Sequence, residues 1–62
     1  MNCMVIIFPA HDPRSEPTFE FPFAADNDAD FEAGIREAFS AWRAKHPGKS
    51  PFEGYFIRIE KP

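Results

Sequence analysis

The chain has 62 residues, ten Asp and Glu against seven Lys and Arg, and 44% apolar residues, which describes one small acidic domain spanning residues 1–62 with no room for a second. A chain this short buries about 60% of the surface its unfolded form exposes, and its core rarely supplies more than roughly 3–5 kcal/mol, so an enzyme with a walled-in active site is not expected. Cys3 is the only cysteine, which excludes an internal disulfide and zinc sites built on paired cysteines. Eight Phe, Trp42 and Tyr55 are left to supply the core.

Asn2 to Phe8 reads as a strand. Val5, Ile6 and Ile7 are β-branched, the run is continuous and short, and Pro9 is expected to stop it. Its lack of alternation predicts a central position in a sheet. Prolines at 9, 13 and 17 among charges predict a stiff, solvated connection. Their spacing of four does not match a groove that reads prolines three apart. Thr18 to Phe23 alternates, with Phe19, Phe21 and Phe23 on one face, and Pro22 marks an edge strand because it cannot donate to a ladder.

From Asp28 to Lys45 the period becomes 3.6, with Phe31, Ile35, Ala38, Phe39 and Trp42 on one stripe of an amphipathic helix. Asn27, Asp28 and Asp30 are candidate caps, Arg43 and Lys45 suit the negative end of the helix dipole, and Pro47-Gly48 ends the helix. Gly34 weakens the helix by about 1 kcal/mol relative to Ala and would permit close approach to the sheet. Gly54 to Glu60 alternates again, with Tyr55, Ile57 and Ile59 opposed to Phe56, Arg58 and Glu60. The expected fold is α+β: a ββαβ chain whose three-stranded antiparallel sheet, in the order 2-1-3, packs on one amphipathic helix. One helix covers one sheet face. Either Cys3, Val5 and Ile7 or Met4, Ile6 and Phe8 then point away from it, leaving an apolar stripe beside Glu20, Phe56 and Arg58.

No pattern announces catalysis. His11 and His46 are the only imidazoles, at a loop start and a helix end, and the sequence holds no phosphate-cradling glycine loop or helical metal-binding pair. No catalytic residue, metal or cofactor is expected. The last strand, Gly54 to Ile59, resembles the aromatic strand with which RNA-recognition motifs stack bases, over six residues. Glu53 stands where that motif has a base, the small residue after the first aromatic is missing, and a second helix and fourth strand would be needed. Direct nucleic-acid binding is therefore not expected. The net charge of −3 conceals an asymmetry. Residues 1–32 carry seven acids against Arg14, a net of −6, and residues 33–62 carry six bases against three acids, a net of +3. Asp26, Asp28, Asp30 and Glu32 recur at every second position, with Glu16 and Glu20 upstream. In an extended stretch such side chains stand roughly 6.6 Å apart, close to the spacing of successive phosphates. Helix capping accounts for one or two of these acids, and binding of a basic partner would account for the series.

In size and surface character over its full length, the chain resembles the small anti-CRISPR proteins of phages and mobile elements, several of which mimic DNA. That group shares no defining motif, so no residue role is carried over. The resemblance implies a non-enzymatic inhibitor that occupies the basic nucleic-acid-binding groove of a type I CRISPR effector subunit and blocks recognition of target DNA; the charge asymmetry, not the resemblance, points to Glu16, Glu20, Asp26, Asp28, Asp30 and Glu32 as the acids it would present. The alternative is a small regulatory or accessory module, antitoxin-like, that dimerises or docks through the exposed apolar sheet face. The longest apolar run, Cys3 to Phe8, falls far short of the roughly 20 residues a bilayer crossing needs, and it lacks the flanks of a signal peptide. The expected setting is the cytoplasm, that of the host cell if the protein is phage-encoded, and the expected state a monomer or weak homodimer.

Overall fold

A computed structural model describes residues 1–12 and 14–61; Pro13, within the expected stiff connection, lies outside the described residues. The elements run β1 (Asn2–Pro9), β2 (Phe19–Ala24), α1 (Asp28–Lys45) and β3 (Tyr55–Glu60). Both outer strands pair antiparallel with β1, giving the sheet order β2-β1-β3. This is the expected ββαβ architecture, a three-stranded sheet on one helix.

The backbone hydrogen bonds fix which way each residue points. Met1 and Ala25 exchange bonds, the Met1 ammonium to the Ala25 carbonyl at 3.0 Å and the Ala25 amide to the Met1 carbonyl at 2.9 Å, while the Ala10 amide donates to the Gly54 carbonyl at 3.0 Å. In an antiparallel ladder the N–H and C=O of one residue point the same way and alternate along the strand. Odd-numbered residues of β1 therefore bond to β2 and even-numbered ones to β3. Two prolines are explained by this parity. Pro9 does not stop β1 as expected but continues it, opposite Tyr55, because its missing donor faces the β2 side beyond the end of that strand. Pro22 lies opposite Met4 with its nitrogen turned out to the sheet edge, where no ladder bond is lost.

Cys3, Val5 and Ile7 stand opposite Phe23, Phe21 and Phe19, so the apolar side of β2 joins the odd side of β1 beneath α1. Val5, Ile7, Phe19, Ala38 and Trp42 form the buried cluster, with Phe21, Phe23, Ile35 and Tyr55 packed around it. Trp42 is the keystone of its lower half. Its ring meets Phe19 edge-on at 5.6 Å and Tyr55 at 4.8 Å, and its Nε1 donates to the Lys49 carbonyl at 2.9 Å, tying the following loop to the last helical turn. At the other end, Gly34 is buried against the Phe23 ring, where a Cβ would fall 2.7 Å from Cγ. The close approach that the sequence suggested is thus made to an aromatic side chain of β2. After α1, Gly48 takes φ +79°, a left-handed conformation that L side chains rarely adopt, and this helps turn the chain toward β3.

Candidate functional site

The α1 backbone runs over β2 and β1 and reaches β3 only through side chains such as Trp42. Because the odd residues of β1 lie beneath it, Met4, Ile6 and Phe8 are the set that points away. The register arranges the open face in rows: Glu20, Ile6 and Arg58 across the middle, with Pro22, Met4 and Glu60 on one side and Phe8 and Phe56 on the other. No helix or strand of the described residues covers this face. Ile6, in the middle of this face, is itself only 4% exposed. The Arg58 guanidinium lies 5.8 Å from the Phe8 ring centre and donates to Glu60 Oε2 at 2.8 Å, and the Phe8 and Phe56 rings sit 6.5 Å apart. Phe56 is 54% exposed. The face is therefore an apolar strip with one cation held over an aromatic ring and carboxylates at two of its margins.

The acidic series is distributed differently from an extended row. The helix begins at Asp28, and each residue from there turns the chain by about 100°. Asp28 and Glu32 share a face one turn apart, while Asp30 projects from nearly the opposite side. The row spacing of roughly 6.6 Å therefore does not hold across Asp28, Asp30 and Glu32. Asn27, not an aspartate, is the N-cap, its Oδ1 accepting from the Asp30 amide at 2.9 Å. Asp30 Oδ2 accepts from the Asp26 amide at 3.4 Å, and the Asp26 carboxylate, 91% exposed, lies 3.7 Å from the N-terminal ammonium. Glu32 pairs loosely with Arg36 at 4.0 Å. Glu16 is exposed in the 10–18 connection, and Glu20 belongs to the open sheet face rather than to the acidic end.

The chemistry-bearing residues stay apart. Cys3 is buried, His46 stacks on Trp42 with ring centres 4.0 Å apart, and His11 lines an open depression of about 420 Å³ with Lys49, Glu53 and Tyr55. Among the described residues no three His, Cys, Asp or Glu side chains converge as a metal site would require. One surface feature escaped the sequence reading. Phe52, 70% exposed, packs edge-on against Phe39 at 5.4 Å beside Arg43 and Lys49. Its signal was its position after Pro51, outside every alternating or helical pattern.

Among the described residues no helix is long and apolar enough to cross a membrane. No known protein family, curated protein or solved structure matches the chain.

Proposed function

We propose that the protein acts by stoichiometric binding to another protein rather than by catalysis, and that the open sheet face is its contact surface. The observation that carries this is the Phe8–Phe56 ring pair on a face that no helix or strand of the described residues covers, with Phe56 more than half exposed. An uncovered apolar strip rimmed by polar groups is the usual form of a protein-docking surface, and an exposed aromatic ring with an arginine beside it supplies residue types that dominate such contacts. The test is capture of a partner from the host cell by the wild-type chain and by a Phe56→Asp variant with an unchanged circular dichroism spectrum. Loss of the partner is expected. Equal capture by both chains overturns the reading.

A second reading is favoured by the N-cap. Because Asn27 caps the helix, Asp26, Asp28 and Glu32 are not needed for that task. They form an exposed acidic end suited to a basic groove, as in a cytoplasmic inhibitor of a type I CRISPR effector subunit. Here the combined Asp26→Asn, Asp28→Asn, Asp30→Asn and Glu32→Gln variant would lose binding, and wild-type affinity would fall steeply with salt. Undiminished binding by that variant removes this reading and leaves the first untouched.

A further inference from the structure

The two edges of the sheet differ. On β2, Glu20, Pro22 and Ala24 turn their backbone outward, and Pro22 deletes the middle donor, one of the devices by which an edge is blunted against further pairing. On β3 the parity places Phe56, Arg58 and Glu60 in the ladder with β1, and leaves the N–H and C=O of Tyr55, Ile57 and Ile59 facing solvent. No proline interrupts these six residues. The core also thins toward this edge: α1 stands over β2 and β1, so Ile57 is half-buried and Ile59 is 40% exposed.

We propose that β3 pairs antiparallel with β3 of a second copy about a two-fold axis midway between the two Ile57 residues, giving a continuous sheet in the order β2-β1-β3-β3-β1-β2. A two-fold contact closes on itself and leaves no further edge except the proline-blunted β2. The side chains select the register. Outward-facing residues must oppose outward-facing residues, which leaves only even shifts of one strand along the other. The shift that sets Arg58 opposite Arg58 juxtaposes like charges and is disfavoured, and the opposite shift, which sets Phe56 opposite Phe56, pairs only Tyr55 to Ile57 of the strand. Centring on Ile57 uses the strand from Tyr55 to Ile59: Ile57 faces Ile57, Tyr55 faces Ile59, and both backbone bonds form at each of these pairs. On the open face Arg58 then stands opposite Phe56 of the second copy, a cation beside an aromatic ring. The axis is perpendicular to the sheet, so both helices lie on one side, and Ile57 and Ile59 gain the apolar neighbours that one helix does not give them. This pairing uses the strand edge and does not depend on the role assigned to the open face.

The test is sedimentation equilibrium of the full chain over a wide concentration range, with amide hydrogen exchange read residue by residue. The mass is expected to rise toward twice the 7.1 kDa of one chain. The Tyr55, Ile57 and Ile59 amides should slow together by about tenfold or more as the dimer fills, while those of Phe56 and Arg58 are protected at every concentration. Ile59→Lys, at an exposed position, should return the mass to one chain without loss of helix signal. A chain that remains at 7.1 kDa up to millimolar concentration overturns the proposal. So does a dimer whose three outward amides still exchange freely, which would use the open face and be broken by Phe56→Asp. Protection that arises only when another protein's strand is added would assign the edge to that strand and overturn the proposal as well.

Discussion

Replacing Gly34 by Ala should destabilise this protein, although the same change in an ordinary helix interior stabilises by about 1 kcal/mol. A Cβ at this position would overlap the Phe23 ring, 2.7 Å from its Cγ. The ring has little freedom to yield, because it is held between Phe21 at 6.5 Å and Phe31 at 5.9 Å. Overpacking of this kind costs about 1–3 kcal/mol. Set against the propensity gain of about 1 kcal/mol, the net effect is a loss of about 1 kcal/mol, or a fall in Tm of about 4–8 °C for a domain of this size. Urea and thermal unfolding followed by circular dichroism would read it. The decisive comparison is the Phe23→Ala background, held folded with trimethylamine oxide. With the ring gone, Gly34→Ala should stabilise by about 1 kcal/mol, a reversal of sign and a coupling of about 2 kcal/mol. If Gly34→Ala stabilises both backgrounds equally, the close contact between α1 and β2 is not what places glycine there.

Asn27→Ala should cost about 1 kcal/mol by leaving the Asp30 amide without its cap, whereas Asp28→Asn should be nearly neutral, a contrast that urea unfolding would resolve. Trp42→Ala should leave the chain largely unfolded, because truncating a fully buried aromatic costs about 3–5 kcal/mol, as much as a core this small supplies. Trp42→Phe keeps most of the packing but removes the bond to the Lys49 carbonyl, and amide exchange in residues 48–52 should accelerate while that of β1 is little changed. Pro22→Ala restores an outward donor without touching the ladder, so monomer stability should change little, and self-association at high concentration, measured by light scattering, should rise.

The elements were legible because each carries a strong period. Phe31, Ile35, Ala38, Phe39 and Trp42 mark the helix to its observed bounds, and Phe19, Phe21 and Phe23 fix the buried side of β2. The strand order followed from β1 being the most apolar. What could not be read was which side of β1 meets the helix, since Val5 and Ile7 are as apolar as Ile6 and Phe8. That is decided by the parity of the β1–β2 register, and a connection as long as residues 10–18 leaves no tight-turn signature from which register can be inferred. The spacing of the acidic series was unreadable for a related reason. A repeat of two has meaning along a strand, but the helix starts inside the series, and from Asp28 onward the same spacing sends neighbouring carboxylates to different sides. The open β3 edge was equally hidden, because a free donor differs from a paired one only in direction.

Trp42 is the protein's only indole, which makes it a single-site optical probe with a known address. It sits at the meeting point of helix end, loop and sheet, with the His46 imidazole stacked 4.0 Å away, and about 21 Å along the helix from Asp28 at 1.5 Å per residue. A ligand seated near Lys49 and Phe52 should alter its emission maximum directly. One seated at the acidic end should leave its spectrum unchanged even at saturation, so a titration that is silent in fluorescence but visible in calorimetry would locate the ligand on the distant half of the molecule.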